Sequence, residues 1–408
     1  MTEGKPSIYI PTLYLAEGLP YTIVNMMSVV FFKTLGASNE FIGLTSFLYI
    51  PWTIKLFWAP LVDMYGTRRR WILTAQIVLA ALTGAVAAGT LTPYAIPAAL
   101  TVFLLIAFAS ATQDIAIDGY YLDVLGRDQQ AFYVGVRNAA YKVAWLLGSG
   151  GLVYLAGKVG EISGVANGWL AALATAAILI ALLALFHGWY LPRPPQAASG
   201  DRLTISSFLR VFVTYFSQRG IVAIVLFILV FRLGDAFMLK MAQPFLLDSP
   251  ARGGLGLSTA DVGLIYGTVG TIFLLVGGLL GGWLVAKDGL KKWLLPAALI
   301  QNGAIPLYWL LAVTKPGITW VAVVNAVEQL CYGLGVAAYT VFLLTTVKSE
   351  YKAAHYATAT ALMALGVMLP GAASGFLSTL LGYPNFFLLS FMSAIPGIVV
   401  IFFLPAKA

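Results

Sequence analysis

Charged residues are scarce in this chain, at 10% of its 408 residues, whereas soluble domains carry about 25%. Apolar residues make up 60%, above the roughly 45–50% found in soluble domains. A water-soluble protein of this composition would leave much of its apolar surface in contact with water. The composition therefore excludes a soluble enzyme, a nucleic-acid-binding protein and a disulfide scaffold, and it predicts a polytopic helical membrane protein.

Residues that serve covalent or metal chemistry are also few. The single cysteine, Cys331, cannot form an intramolecular disulfide. The two histidines, His187 and His355, lack the spacing of metal ligands and are interpreted as structural. The sequence contains no Walker-type phosphate loop and no catalytic triad. We therefore expect no enzyme activity, no cofactor, no metal and no ATP-driven step.

Twelve apolar segments of spanning length lie in two groups of six. The first group lies at 8–32, 41–64, 71–91, 94–122, 131–156 and 166–190, and the second at 220–247, 259–285, 293–313, 318–346, 353–380 and 384–404. We predict an all-α polytopic membrane protein in which an N-terminal bundle (1–190) and a C-terminal bundle (220–408) are joined by a cytoplasmic linker (191–219). Thr204–Phe216 in this linker is compatible with a short amphipathic surface helix.

The distribution of basic residues predicts the orientation of the chain. If the spans alternate, 15 of the 24 lysines and arginines lie on the side of the N-terminus and four on the opposite side. Basic residues collect in the cytoplasmic loops of membrane proteins. Both termini are therefore predicted to be cytoplasmic, and the net charge of +8 is a topology signal that does not indicate nucleic acid.

The two halves share a basic turn, which follows span 2 and again span 8. The first copy, Asp63–Trp71, combines a glycine, three arginines and a tryptophan that re-enters the membrane, and Ala286–Trp293 repeats this plan without the leading aspartate. Two six-helix halves related by a parallel repeat match the major facilitator plan with pseudo-two-fold symmetry. We predict a cytoplasmic gate formed by Asp63, Gly66, Arg68, Arg69 and Arg70.

Ionisable side chains lie inside the predicted spans, where exposure to hydrocarbon is costly. They are Glu17 in span 1, Lys55 in span 2, Asp114 and Asp118 in span 4, Arg137 and Lys142 in span 5, Arg232, Asp235 and Lys240 in span 7, and Glu328 in span 10. Spans 1, 4, 7 and 10, which line the cavity in the major facilitator plan, all carry an acidic residue. We expect these carboxylates to meet in a shared aqueous chamber near the bilayer midplane.

Glu17 and Glu328 have no basic residue within one helical turn in sequence, and burial without a cation favours the protonated carboxyl group. They are the first candidates for carrying protons, and Asp235 is a third. The paired acids leave an alternative open, because Asp114 with Lys55 or Arg137, and Asp235 with Arg232, are also compatible with structural ion pairs. The candidates for binding a solute are Asp114, Asp118, Arg232, Lys55, Arg137, Tyr21, Tyr121 and Tyr332.

Glu17 is followed directly by Gly18, Leu19 and Pro20, of which Gly18 and Pro20 are helix-breaking residues. Proline removes a backbone hydrogen bond and frees a carbonyl oxygen, which we expect to point into the cavity. Small-residue faces for close helix packing are predicted at Gly277, Gly278, Gly281 and Gly282 in span 8 and at Gly371 and Gly375 in span 11.

Several motifs resemble those of the AmpG-like muropeptide permeases. In the first half they are AEGLP at 16–20, KLFWAPLVD at 55–63, GTRRRW at 66–71, SATQDIAID at 110–118 and YLDVL at 121–125. RLGDA at 232–236 and EQLCYGLG at 328–335 fit the same pattern in the second half. The resemblance covers essentially the whole chain.

The resemblance implies a major facilitator permease that the proton gradient drives and that imports anhydro-muropeptide recovered from the cell wall. The positions that match charged residues of the family are Lys55, Asp114, Asp118, Asp123, Asp235 and Glu328. The chain departs from the family where Glu17 replaces a small polar residue and where Arg232 replaces a common lysine. Its twelve predicted spans also lack the additional ones of some members.

The resulting expectation is proton-coupled import (symport) of a small amphiphilic solute, most simply an anhydro-muropeptide, by a monomer in the bacterial inner membrane. Its expected partners are the solute, protons and the lipid bilayer, with no nucleic acid. A siderophore or an acyl-coenzyme A-type solute is an alternative cargo, because the wider group contains permeases for both. A non-transporting receptor or inducer and an intramembrane enzyme are alternatives from other classes.

Overall fold

The computed structural model describes residues 4–193, 213–347 and 352–405. Within these ranges the regular structure is helical, with no β-strand. Of the predicted surface helix over Thr204–Phe216, only residues 213–216 are described, and they are helical.

The main α-helices are numbered in chain order. They are α1 Pro6–Thr22, α2 Ser28–Thr34, α3 Asn39–Leu44, α4 Ile50–Ile54, α5 Ala59–Met64, α6 Arg68–Gly89, α7 Ala95–Val124, α8 Arg127–Trp145, α9 Leu152–Ser163, α10 Val165–Tyr190, α11 Ile221–Val230, α12 Leu233–Leu247, α13 Thr259–Val262, α14 Thr271–Asp288, α15 Leu290–Gly303, α16 Pro306–Thr314, α17 Ile318–Thr345, α18 Lys352–Met392 and α19 Ile395–Val400. Three π-helical segments, Ile23–Met27, Leu146–Gly151 and Gly263–Gly270, join α1 to α2, α8 to α9 and α13 to α14.

Ten helices in the described part of the chain are long and apolar enough to cross a membrane. They extend over Pro6–Thr34, Arg68–Gly89, Ala95–Val124, Asp128–Ser163, Val165–Tyr190, Ile221–Leu247, Thr259–Asp288, Leu290–Thr314, Ile318–Thr345 and His355–Phe403. The chain is therefore a multi-pass membrane protein, as its composition predicts.

Two features explain why ten long helices are found where the sequence predicts twelve spans. The last helix, His355–Phe403, has 49 residues, well above the ~20 that one crossing needs, and Gly382 interrupts it with a φ of 72°. The predicted span 41–64 contains no single long helix, because Pro51 and Pro60 lie in the first turns of α4 and α5, the position in a helix that proline tolerates. The number of twelve crossings stays a prediction.

The described residues form two compact units. The first unit contains residues 4–35, 48–193 and 259–267, and the second contains 36–47, 213–258, 268–347 and 352–405. In the first unit, a buried cluster that includes Tyr9, Leu13, Tyr14 and Tyr120 packs α1 against α7. In the second unit, the buried rings of Phe227, Phe231, Tyr339 and Phe342 pack α11 against α17. Each core holds the polar side chains of its own unit in place.

The two copies of the basic turn have similar local structure. Gly66 and Gly289 both adopt positive φ, at 74° and 87°, a conformation that glycine adopts without steric cost. The indole of Trp71 donates to the Tyr65 carbonyl at 2.6 Å, and that of Trp293 donates to Asp288 Oδ2 at 3.0 Å. In each copy a tryptophan at the start of a helix thus ties the preceding turn to that helix.

Candidate functional site

Asp118 is the centre of a hydrogen-bonded group that joins α1, α7 and α8 in the first unit. The hydroxyl of Tyr14 donates to Asp118 Oδ1 at 2.8 Å. Arg137 Nη1 lies 3.4 Å from the same oxygen and donates to the Tyr14 hydroxyl at 3.1 Å. The guanidinium carbon also lies 5.3 Å from the ring centroids of Tyr14 and Tyr121, within the range of cation–π attraction. Arg137 is therefore held by one carboxylate and two aromatic rings.

Asp114 lies one helical turn before Asp118 on α7 and pairs with a different cation. Its Oδ2 forms an ion pair with Nζ of Lys55. Lys55 lies in the short 3₁₀ segment Lys55–Phe57 between α4 and α5, so the interrupted second span brings this ammonium group to α7. Of the two cations left open by the sequence for Asp114, the structure selects Lys55, and Arg137 pairs with Asp118.

Glu17 is a buried acid of the first unit, at 6% exposure. Its Oε2 atom is buried and has no hydrogen-bond partner in the described part of the chain. Lys55, Arg137 and Asp118 are close enough to act on it electrostatically. An ionised carboxylate is costly to bury without a partner, and Glu17 therefore differs from the ion-paired carboxylates Asp114 and Asp118.

Pro20 leaves the carbonyl oxygen of Ala16 without its helical donor, because proline has no N–H to give four residues later. The side chain of Gln113 supplies the donor, and its Nε2 lies 2.8 Å from Ala16 O. The expectation that the freed carbonyl points into a cavity is therefore wrong. A buried carbonyl needs a hydrogen bond, and α7 provides one directly beside Asp114.

The second unit contains a fully paired carboxylate, Asp235, at 1% exposure. Arg232 donates to its Oδ2 from Nε at 3.0 Å and from Nη2 at 2.9 Å. Gln301 donates to its Oδ1 at 3.0 Å. Arg232 also donates to the Tyr332 hydroxyl, and its guanidinium carbon lies 5.3 Å from the centroid of that ring. Both carboxylate oxygens thus have donors, as in a structural ion pair.

Glu328 on α17 is a second buried acid of this unit, at 2% exposure, and Asp248 is a third, at 6%. Glu328 Oε2 accepts a hydrogen bond from Gln329 Nε2 at 2.9 Å, and Glu328 makes no ion pair with a basic residue of the described ranges. Asp235 is close enough to act on it electrostatically. Glu17 in the first unit and Glu328 in the second are thus buried acids that form no ion pair with a described basic residue, unlike Asp114, Asp118 and Asp235.

The predicted site residues thus form two groups. Glu17, Asp114 and Asp118 belong to the first unit, whereas Asp235 and Glu328 belong to the second. A chamber shared by all of them stays a prediction. Among the predicted tyrosines, Tyr121 contacts Arg137, Tyr332 contacts Arg232, and Tyr21 lies in an aromatic cluster of the first unit.

Within the predicted gate, Arg68 contacts α7 through its guanidinium group. Arg68 Nη1 lies 2.5 Å from Asp123 Oδ1 and donates to the Gly119 carbonyl at 2.9 Å. Both partners lie on α7, so this arginine ties the start of α6 to the end of α7.

Arg69 and Arg70 have different surroundings. Arg69 donates to the carbonyls of Leu191 at 3.1 Å and Gly188 at 2.5 Å, and Arg70 is exposed. The side chain of Asp63, the remaining predicted gate residue, lies outside the part of the structure that is described.

Residues 12–239, more than half of the chain, match the sequence model of the Major Facilitator Superfamily. The chain belongs to the Major Facilitator Superfamily.

Similar proteins support the family that the sequence motifs indicate. The anhydromuropeptide permease of Escherichia coli (strain K12) is 29% identical over 395 residues, which cover 95% of this chain and 77% of that protein. The putative transporter AmpG 4 of Rickettsia conorii is 24% identical over 411 residues, which cover 97% of this chain and 95% of that protein. These relatives confirm the resemblance to AmpG-like permeases.

A solved structure shows the same fold. The D-xylose-proton symporter matches with a TM-score of 0.72 over 98% of this chain and 97% of that chain, at 15% identity. At this identity the likeness concerns the fold alone, and it confirms the predicted major facilitator fold class. The superfamily and the relatives are transporters, in agreement with the prediction that the chain is not an enzyme.

Some residues that organise the sites of this superfamily member are not evident from the sequence. Gln113 donates a hydrogen bond to the carbonyl that Pro20 leaves without a donor, and Gln301 donates one to the buried carboxylate of Asp235. The sequence signal for them is a glutamine within a predicted membrane span. Asp123 belongs to a family motif, but its pairing with Arg68 joins residues 55 positions apart, beyond what a local pattern indicates.

Proposed function

We propose that this chain is a proton-coupled secondary transporter that imports an anhydromuropeptide-like solute across the bacterial inner membrane. The solute class is supported by the relative named anhydromuropeptide permease, whose similarity extends over 95% of this chain. The proposal includes a monomer with the two bundles 1–190 and 220–408, the linker 191–219, and both termini in the cytoplasm.

The environment of Glu17 is the observation that carries the proton coupling. The protonated carboxyl group is neutral and tolerates burial without a cation. Once its proton leaves, the carboxylate attracts Lys55 and Arg137, the two cations that act on it. Those cations form ion pairs with Asp114 and Asp118, so the ionised carboxylate of Glu17 competes with these two aspartates for them. Proton release at Glu17 thereby changes the charge offered to the solute.

Glu328 is the corresponding candidate in the second unit, because it is buried and without an ion pair in the described residues. Asp235 is the third candidate. Unlike Glu17, it accepts hydrogen bonds from Arg232 and Gln301 on its two oxygens, as in a structural ion pair. We therefore assign the first role to Glu17 and Glu328.

The solute is bound by the charged and aromatic side chains around these acids. The side chains of Lys55 and Arg137 are each 33% exposed, which leaves part of each cation accessible to a carboxylate of the solute. Asp114 and Asp118 hold these cations until the solute arrives, and Tyr121 packs beside Arg137. Arg232 and Tyr332 offer the same combination of a cation and a ring in the second unit.

The cytoplasmic gate is proposed at Asp63, Gly66, Arg68, Arg69 and Arg70. The contacts of Arg68 with Asp123 and Gly119 support it, because they link the turn to α7 through an ion pair that can open and close.

Uptake into proteoliposomes tests this function. The full-length protein is reconstituted with a labelled anhydromuropeptide outside and a pH gradient that is acidic outside. We expect accumulation that an uncoupler abolishes. We expect Glu17→Gln, which cannot exchange a proton, to lower gradient-driven accumulation at least tenfold while exchange between internal and external solute continues.

The matched control is Glu161→Gln, which removes an exposed carboxylate that pairs with Lys158 at 2.9 Å on α9 of the same unit. Uptake that does not respond to the pH gradient would contradict proton coupling. Accumulation of a ferric siderophore or an acyl-coenzyme A in place of the anhydromuropeptide would contradict the solute. Binding without flux, unchanged by Glu17→Gln and Glu328→Gln, would indicate a receptor, and a chemically altered product would indicate an enzyme.

A further inference from the structure

Four aromatic rings in the first unit pack around the ring of Tyr21, and the five rings together form an aromatic cluster. Tyr21 contacts Trp52 and Tyr49 edge-on, with ring centroids 5.2 and 6.1 Å away. Tyr141 lies 5.9 Å away at a tilt, and the ring of Trp145 is parallel to that of Tyr21 at 6.3 Å. All five rings are half-buried, so each keeps part of its surface accessible.

The position of the aromatic cluster distinguishes it from an interfacial belt. Tyr21 lies near the middle of the Pro6–Thr34 helix, and Trp145 lies near the middle of the Asp128–Ser163 helix. Aromatic belts of membrane proteins lie at the two water–lipid boundaries, close to the ends of the spans. A cluster of tyrosine and tryptophan halfway along two spans needs another explanation.

Lys142 adds an uncompensated charge to the aromatic cluster. Its ammonium nitrogen lies 3.7 Å from the centroid of the Trp145 ring. Unlike Lys55 and Arg137, it forms no ion pair with any carboxylate that the structure describes. A lysine inside a span faces a cavity or a partner, and an aromatic face compensates only part of its charge.

The indole of Trp145 also has an unused donor. Its Nε1 atom is buried and finds no acceptor among the described residues. Buried indole N–H groups normally have a hydrogen-bond partner. The cluster therefore combines flat aromatic faces, a donor without an acceptor and a cation without an anion.

The backbone around the cluster is tightly packed and departs from regular helix. A Cβ at Gly18 would lie 2.8 Å from that of Ala144, and one at Gly148 would lie 2.7 Å from Thr22 Cγ2. The π-helical segment Ile23–Met27 follows Tyr21 closely, and Leu146–Gly151 follows Trp145 directly. Such π-helical turns occur frequently at functional sites.

We propose that the aromatic cluster, with Lys142 and the indole N–H of Trp145, is a binding subsite for a saccharide ring that carries a carboxylate group nearby. The C–H faces of a saccharide ring pack on tyrosine and tryptophan, and a hydroxyl or acetamido oxygen of the sugar accepts a hydrogen bond from the indole. A carboxylate of the same ligand, close to the sugar, pairs with Lys142. This inference rests on the proposed function, and it assigns the sugar-bearing end of the glycopeptide to α1, α4 and α8 of the first unit.

Calorimetric binding to the purified full-length protein tests the subsite with three probes: a disaccharide anhydromuropeptide, its amidated form without free carboxylates, and the sugar-free peptide. For Trp145→Leu we expect the Kd of the glycopeptide to rise at least tenfold and that of the sugar-free peptide to stay unchanged. For Lys142→Gln we expect the Kd of the glycopeptide to rise at least fivefold and that of the amidated form to stay unchanged. The matched controls are Trp320→Leu, which is 65% exposed in the second unit, and Lys158→Gln.

The outcomes separate this inference from the function on which it rests. If the unmodified protein binds the glycopeptide and both variants bind it equally well, the subsite is wrong and the transport proposal stands. If the unmodified protein rejects the glycopeptide but binds another saccharide acid through Trp145 and Lys142, the cargo is wrong and the subsite stands. If it binds neither, both are overturned. Should Trp145→Leu lose its cooperative thermal transition, Trp145→Phe keeps a ring without the donor, and an unchanged Kd for the glycopeptide in that variant would overturn the role of the indole N–H in the subsite.

Discussion

Pro20 in α1 shows how one residue can require a hydrogen bond from a residue far away in the sequence. Pro20 removes the donor for the Ala16 carbonyl, and the buried side chain of Gln113 replaces it from α7. The remaining polar atom of Gln113, Oε1, has no partner in the described residues. The structural role of this glutamine is therefore the donor alone, and that role exists because position 20 is proline.

Replacing Gln113 with leucine is expected to lower the stability of the protein, because the Ala16 carbonyl then stays buried without a donor. The loss of such a hydrogen bond costs about 1–3 kcal/mol. The measurement is the thermal unfolding temperature of the purified protein in detergent. In the double variant P20A/Q113L, an N–H returns at position 20, and we expect most of the lost stability to be recovered. Equal losses in the single and double variants would contradict this account.

Single residues also distinguish the two kinds of buried acid. Asp235 accepts from Arg232 and Gln301 through both of its oxygens, and burial with complete hydrogen bonding keeps an ion pair closed. Glu17 has one oxygen without any donor in the described part of the chain. A buried carboxyl group is thus a structural group in one place and a proton-exchange candidate in another, according to the donors around it.

At the level of helices, glycines decide how closely α14 and α17 approach each other. A Cβ at Gly277 would overlap the Leu330 carbonyl, and a Cβ at Gly333 would overlap that of Leu274. A Cβ at Gly281 would likewise lie 2.6 Å from the Leu334 carbonyl oxygen, whereas a Cβ at Gly282 would have no neighbouring atom within 4 Å. The predicted small-residue face of span 8 therefore consists of Gly277 and Gly281 and excludes Gly282.

A methyl group added to α14 at Gly277 and one added at Gly282 are expected to have different effects on stability. We expect Gly277→Ala to destabilise the protein by about 1–3 kcal/mol, because overpacking forces the two backbones apart. We expect Gly282→Ala to be neutral or to stabilise by about 0.5–1 kcal/mol, because alanine restricts the unfolded chain. Thermal unfolding of the two variants side by side measures the difference. Equal behaviour would mean that α14 and α17 do not pack through Gly277.

Helix composition alone does not predict the second span. Its apolar content indicates one helix over 41–64, but Pro51 and Pro60 start new helices and leave the 3₁₀ segment Lys55–Phe57 between them. This interruption has a consequence for the site, since Lys55 lies in that segment and pairs with Asp114.

At the level of the whole molecule, the distribution of basic residues predicts how the chain crosses the bilayer. Cysteine labelling tests the orientation in a background where the only native cysteine is removed as Cys331→Ser. Thr92 and Asp128 are both exposed and lie on loops predicted to be on opposite sides. In intact right-side-out vesicles we expect a membrane-impermeant maleimide to label Thr92→Cys at once and Asp128→Cys only after permeabilisation. The reverse pattern would place the termini outside.

Much of the fold is predictable because hydropathy is a local and additive property. Long apolar segments identify membrane helices wherever they pack, and the motifs around Glu17, Asp114 and Asp235 identify the family without knowledge of any contact. The boundaries of the second and last helices are less predictable. They depend on where proline and glycine are accommodated, as at Pro51 and Gly382.

The partners of the buried groups were decided by the tertiary structure alone. Nothing in the local pattern distinguishes Lys55 from Arg137 as the cation of Asp114, because the choice depends on an interrupted helix 59 residues away. The pairing of Gln113 on α7 with the Ala16 carbonyl on α1 is likewise a contact between packed helices. The amino-acid sequence by itself determined that the chain enters a membrane as helices that carry charges inside. Only the packing determined which charges are neutralised and which stay available, because that depends on distances between segments that the chain order does not specify.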